Sequence, residues 1–533
     1  MKKNSRIHLL RRLGSGTAGR VFAMVSCQAM TEFVSVRCFC ALVGILLLIL
    51  SSPCSAQSIS SQFVREVHTS VPGEGCSGAC ELTINVPSSL AGNLLVVDFS
   101  WSYGGTAPAV SNIYCNSDTT HATWTWTLAK NVLDTGDSTD SFKYFTAGAT
   151  AGCSSVTIVA SAVWTNAEAV YKEYRGIAAS SPIDGTAGQV NSGTGPNFNP
   201  GPLTTTTNGD LIDQYCTFAP LPFGAPNATS ITGSGGFTLI DADLMFGYAS
   251  MAQIQTSSGA VTPSINFVGG PSGGNGICIA AAFKTSASTG TAPSGIQIIS
   301  QEDAFGNTPT TYIQIHVFNP GDTLVIEGLS TQATGNNQWS SISDSLGSSF
   351  TTHQLADSGG GYPAWAVDCS APSVGDDKIT ISGASSSGNG NYVVLEIAGL
   401  NNSSHTACFD ATAGLKTNWG NNAPYSSAPS ITPSTAGGII LAAIEEGIGP
   451  ISGISSPNGA IYAYPNYTGI TDASQMTEGG GFSYLLNTST NANSWTWTSP
   501  NSTAWNASAI ALVAGSSQGG LPSPPTALKA TVQ

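Results

Sequence analysis

The stretch Ala91-Gly92-Asn93-Leu94-Leu95-Val96-Val97-Asp98 reads as a turn that feeds a buried strand. Gly and Asn tolerate the backbone of a tight turn. The Leu/Val run that follows suits a pleated, half-buried surface. The pattern returns 229 positions later as Pro320-Gly321-Asp322-Thr323-Leu324-Val325-Ile326-Glu327, again closing on an acid. A repeat of this length indicates two copies of one domain, not a solenoid of short units.

Outward from this stretch the two copies run in parallel. Cys153 to Ile158 matches Asp376 to Ile381, and Tyr171 to Gly176 matches Val394 to Gly399. Gly209-Asp210-Leu211-Ile212 matches Gly438-Ile439-Ile440-Leu441. Copy one is expected over 57–286 and copy two over 296–516, with a Ser/Thr/Gly linker at 287–295. Short β-branched and aromatic runs separated by Gly, Pro, Asn and Ser clusters predict an all-β chain. About 220 residues of that kind must close as two packed sheets. The expectation is two tandem jelly-roll-like β-sandwich domains.

Charged residues are only 9% of the chain, against about 25% in a typical domain. Seven of the 16 basic residues precede Ala56, with a single acid, Glu32. In that segment a basic flank at Arg37, the apolar run Cys38 to Leu50 and the exit Ser51-Ser52-Pro53-Cys54-Ser55-Ala56 describe a secretory signal peptide over 1–56. Its removal leaves nine basic and 30 acidic residues. A surface that acidic repels phosphate backbones, which argues against nucleic acid as a partner. No later stretch suggests membrane contact.

Eight cysteines remain, and an even count in a secreted chain reads as disulfides. The expected pairs are Cys76–Cys80, Cys115–Cys153, Cys216–Cys278 and Cys369–Cys408.

The order of elements resembles secreted bacterial surface domains that occur in tandem. The residues that carry the likeness are Gly92 to Val97, Asp344-Ser345, Glu173-Tyr174-Arg175-Gly176 and Gly209-Asp210-Leu211. The resemblance implies a cell-surface or secreted setting and brings no defined activity. The tail, Leu521-Pro522-Ser523-Pro524-Pro525 to Gln533, resembles the start of a fibronectin type III domain. It occupies 517–533 with its linker.

Two sets of residues stand out as site candidates. Trp124 with Trp126, Trp495 with Trp497, and Trp101 with Tyr103 each place two aromatic rings on one face of a strand, because side chains alternate with period two. Exposed, such a pair stacks on sugar rings. Inward, it fills a core. The second set is the repeat-equivalent acids Glu173 and Glu396, and Asp98 and Glu327. A glycosidase needs two carboxylates facing each other across the scissile bond. The structural reading has these acids accepting backbone hydrogen bonds at strand ends. The sequence carries no metal-ligand spacing among Cys and His. The Asp-rich turn Asp134 to Asp140 is where calcium would bind if any cofactor did. The leading expectation is a non-enzymatic extracellular module for adhesion or carbohydrate binding, its partners glycans or other surface proteins. The alternatives are a polysaccharide-active enzyme and a structural spacer.

Overall fold

The computed structural model describes residues 59, 62–71, 80–220, 228–244, 247–286, 290–306, 310–330, 339–354, 364–382, 390–420, 426–446, 451, 453–458, 460–464, 479–498 and 505–515. The expected signal segment 1–56, the tail 517–533 and Cys76 lie outside the described residues. Among those described, the chain is all-β and contains no α-helix.

The strands build four sandwiches, over 63–174, 183–283, 297–398 and 416–512. Each has a five-stranded sheet in the order 1-8-3-6-5 and a three-stranded sheet in the order 2-7-4. In the second sandwich, strands two and seven are broken, and Leu203–Thr205 pairs with Gly259–Val261 as a separate ribbon. Each expected copy of about 220 residues therefore holds two sandwiches rather than one.

The third strands explain the difference. They are Leu94–Ser102, Asp210–Ala219, Thr323–Ser330 and Ile439–Glu446. Each follows a glycine with positive φ: Gly92 (81°), Gly209 (86°), Gly321 (86°) and Gly437 (88°). Glycine enters that region without the Cβ penalty of other residues. Gly209-Asp210-Leu211 is thus the same element as Gly92-Asn93-Leu94, one unit later, and the unit is half of 229 residues. Gly209 also aligns with Gly437, one position before the Gly438 that sequence comparison selects.

Along each third strand, side chains point alternately to two different cores. Leu95, Val97, Phe99 and Trp101 pack with Leu82, Ile84, Ile113 and Ile158 inside the first sandwich. Asp98 and Ser100, on the other face, meet the second sandwich, where Tyr215 Oη donates to Ser100 Oγ at 3.1 Å. The two five-stranded sheets are therefore packed back to back. Every residue of Leu94–Ser102 and of Asp210–Ala219 is buried. Cys80–Asn85, in an outer three-stranded sheet, alternates between buried and more exposed residues. A sheet covered on both faces reads as a continuous apolar run, and one with a wet face alternates. The third and fourth sandwiches pair in the same way. Val325 and Leu395 pack with Leu441 and Ile510, and Trp365 Nε1 donates to Ser508 Oγ at 2.9 Å.

Three sheet-edge strands join the two pairs: Phe63–Val71, Thr238–Asp243 and Gln297–Gly306. Phe63 stacks on Phe318 with ring centroids 4.0 Å apart. Within the linker, Thr291 N donates to Asn93 Oδ1 at 2.9 Å, which seats that segment on the first turn.

Three disulfides form as expected: Cys115–Cys153, Cys216–Cys278 and Cys369–Cys408. Cys80 is disulfide-bonded as well. All seven of these cysteines are fully buried. Buried disulfides of this kind belong to an extracellular or otherwise oxidising compartment. No helix among the described residues is long and apolar enough to cross a membrane.

Candidate functional site

The six aromatic candidates turn inward. Trp101 is fully buried and Tyr103 is 7% exposed. Trp124 and Trp126 are each 8% exposed and lie in the segment before the fifth strand, packed into the first sandwich. Trp124 Nε1 donates to Thr150 O at 3.0 Å. Trp495 and Trp497 do lie on one strand face, but that face fills the fourth sandwich. A sugar-stacking platform needs accessible rings, so none of these residues forms one.

The repeat-equivalent acids are also buried. Glu173 accepts from Leu90 N at 2.8 Å and from Asn93 Nδ2 at 2.6 Å, and it pairs with Arg65 Nε at 3.1 Å. Glu396 accepts from Phe318 N and Asn319 N, both at 3.0 Å. Each thus holds the turn that precedes a third strand. In the Asp-rich turn, Asp134 Oδ1 accepts from Gly136 N at 2.9 Å and Asp137 N at 3.3 Å.

Asp98 enters a different arrangement, one that sequence comparison does not reveal. The seam between the first two sandwiches holds a fully buried square of Asp98, Lys143, Lys172 and Asp213. Lys143 Nζ lies 2.6 Å from Asp98 Oδ1 and 2.7 Å from Oδ2, and it also contacts Asp213. Lys172 Nζ donates to Asp213 Oδ1 at 2.6 Å, to Ser250 Oγ at 2.8 Å and to Asp98. Tyr174 Oη donates to Asp213 Oδ2 at 2.7 Å. Burial disfavours the Asp213 carboxylate, yet the two lysines outweigh it and hold its pKa at about 2. Burial pushes Asp98 up and Lys143 down. Each lysine thus contacts both carboxylates, and the square sets two acids against two ammonium groups away from solvent.

A second buried cluster sits where the three edge strands converge. His68 comes from the first sandwich, Asp241 from the second and Glu302 from the third. One ligand-type atom from each lies within 4.8 Å of the others. Glu66 shares a strand face with His68, two residues away, and its Oε1 accepts from Gln301 N at 2.8 Å. Glu302 Oε1 accepts from Ala242 N at 2.9 Å. The His68 ring packs on Tyr248 with centroids 4.6 Å apart. Burial raises Glu66 and Glu302 well above the ordinary carboxylate range, and the charge of Asp241 adds to both shifts. Nearby, burial pushes Glu168 to about 8 although Tyr215 donates to it.

An open cavity of about 180 Å³ lies against the Cys369–Cys408 disulfide, lined by His353, His405, Thr406 and Phe409 among others. His405 Nδ1 is 2.7 Å from Asp368 Oδ1, and the His353 ring stacks on Phe409 at 3.6 Å. Ligand pockets for drug-sized molecules start near about 300 Å³, so this cavity suits at most a small fragment.

Comparison with known proteins finds no matching family model, no matching curated protein and no matching solved structure.

Proposed function

We propose that the chain is a non-catalytic structural module of a secreted or cell-surface protein, a rigid block that spaces or displays neighbouring parts of a larger assembly. We also read the sheet orders 1-8-3-6-5 and 2-7-4 as a jelly-roll arrangement whose fifth strand has moved to the edge of the larger sheet. The observation that carries the functional reading is the burial of all six aromatic candidates. A sugar-binding face would leave some of them in solvent. The acids point the same way. Glu173 and Glu396 hold backbone amides, and Asp98 is consumed by two lysines, so no carboxylate pair faces a substrate-sized groove among the described residues.

Glycan-array binding, with acrylamide quenching of Trp fluorescence, tests this reading. The expected result is no glycan bound and slow quenching. Binding that disappears in a folded Trp124→Ala/Trp126→Ala or Trp495→Ala/Trp497→Ala variant would restore the carbohydrate reading instead.

A further inference from the structure

We propose that His68, Asp241 and Glu302 form a divalent-cation site, suited to zinc, that ties the first three sandwiches together. Three observations carry the proposal. The first is placement: three ligand-type side chains reach one point from three sandwiches, with one atom of each within 4.8 Å of the others. Around a tetrahedral zinc ion, with donors about 2.0–2.2 Å from the metal, neighbouring donor atoms stand about 3.4 Å apart. The three side chains therefore draw in by up to about 1.4 Å when the ion binds, within the reach of small side-chain rotations.

The second is charge. The ionic square is balanced, two acids against two lysines. The junction is not. Glu66, Asp241 and Glu302 surround one imidazole, all fully or almost fully buried. Buried carboxylates crowded together are costly, and they are stabilised by a proton, a partner or a metal. The third is the pair of oxygens Oε2 of Glu66 and Oε2 of Glu302, which are buried and accept no hydrogen bond from the chain. Their sister oxygens are each held by a backbone amide, which fixes both carboxyl groups in place.

The donor set selects the ion. Imidazole favours zinc and its neighbours over calcium or magnesium, which take oxygen ligands alone. One His with two carboxylates gives three protein ligands, a common zinc count. Irregularities in strand pairing help to bring them together. The register shifts between Leu239 and Asp241, and again between Ile298 and Ser300. Bulges of this kind re-aim side chains.

The test uses the full chain, stripped with a chelator, dialysed and titrated with zinc, manganese or calcium chloride. Metal content is read by elemental mass spectrometry and stability by melting temperature. One zinc per chain and a higher melting temperature are expected. Glu302→Gln and His68→Gln should each lose the zinc. His316→Gln, whose imidazole lies elsewhere beside Asp376, should keep it. Without metal, Glu302→Gln should melt at or above the parent chain, because it removes a buried acid. The proposal is overturned if the stripped parent chain takes up no zinc, if it binds calcium in preference, or if Glu302→Gln binds zinc as the parent does. The parent chain's own stoichiometry decides even where a variant folds poorly.

Discussion

The two pairs of sandwiches share strand order, turn glycine and back-to-back packing, yet they fill the seam between them in opposite ways. The sixth residue after the turn glycine is Asp98, Tyr215, Glu327 and Ala443 in the four units. The residues opposite on the sixth strand are Lys143, Ser250, Trp365 and Phe482. The fourth residue is Val96, Asp213, Val325 and Leu441, facing Lys172, Ala281, Leu395 and Ile510 on the eighth strand. One seam is ionic and the other is apolar. Because the same frame accepts both, the square is not required to close a seam. Replacing a buried ion pair by packed apolar groups is often neutral or stabilising, whereas removing one partner is costly. Our hypothesis is that the square fixes which sandwiches pair, by making any mismatched seam leave charges bare.

The largest expected effect breaks the ionic seam. Lys172→Ala leaves Asp98 and Asp213 against one lysine and should cost about 3–5 kcal/mol in urea unfolding. A loss below about 1 kcal/mol would show that the square matters little. The seam-swapping variant Asp98→Leu/Lys143→Met/Lys172→Leu/Asp213→Leu should recover most of that loss. If it stays as unstable as Lys172→Ala, the two seams are not interchangeable. Next in size is the disulfide of the apolar pair. Cys369–Cys408 ties the end of a strand in the third sandwich to the connection leading to the fourth. Cys369→Ser/Cys408→Ser should lower stability by about 2–4 kcal/mol, read as a drop in melting temperature under non-reducing conditions.

Much of the fold is legible in the sequence, because β-branched runs and Gly-rich turns declare strands, and one expected disulfide, Cys216–Cys278, joins directly opposed residues of neighbouring strands. The unit length is harder to read. The acids that make the 229-residue repeat conspicuous, Asp98 with Glu327 and Glu173 with Glu396, belong to odd-numbered sandwiches. In the even ones their places hold Tyr215, Ala443, Ala282 and Ala511. The features that reveal the repeat therefore also conceal its halves. Period-two spacing puts Trp495 and Trp497 on one face but cannot say whether that face meets water. The ionic square did leave a signal: lysines inside the apolar strands Phe142-Lys143-Tyr144-Phe145 and Val170-Tyr171-Lys172, in a chain that is poor in charge. The junction cluster left none, because its members stand on three strands brought together only by packing.

The apolar seam still contains an unmatched acid. Glu327 is buried, its Oε1 accepts no hydrogen bond from the chain, and burial drives its pKa well above the ordinary range. Leaving a buried acceptor unsatisfied costs about 1–3 kcal/mol. Glu327→Leu should raise stability by about that amount in urea titration near neutral pH. No gain would mean that the carboxyl is satisfied in solution by water, and that this seam is wetter than its packing implies.

The smallest effect separates the pairs from what they have in common. Each pair carries one acid couple in which burial and a nearby carboxylate push one member up to about 7: Asp210 beside Asp184, and Asp377 beside Asp344. An acid whose folded pKa is raised keeps its proton while the unfolded chain loses it. Its penalty is absent below the unfolded pKa of about 3.9, grows as pH rises, and levels off above the folded value. Stability should therefore fall between about pH 4 and 7. The partners act in a lower window. Asp184 and Asp344 are held below the usual range despite the cost of burial, by Thr206 and by Ser348 respectively. Their stabilisation is complete above the unfolded pKa of about 3.9 and is lost as pH falls below it. Between about pH 4 and 7 the raised member alone sets the slope. Asp184 and Asp344 are partly exposed, so solvent screens the repulsion in each couple, which is why this effect ranks last. Asp377→Asn and Asp210→Asn should each remove the falling arm, so both variants should gain on the parent chain as pH rises from 4 to 7. Equal gains would mark the couples as a property of the sandwich frame, indifferent to the seam it borders. A gain confined to Asp210→Asn would instead tie the acid couple to the ionic pair, through the charge already stored there.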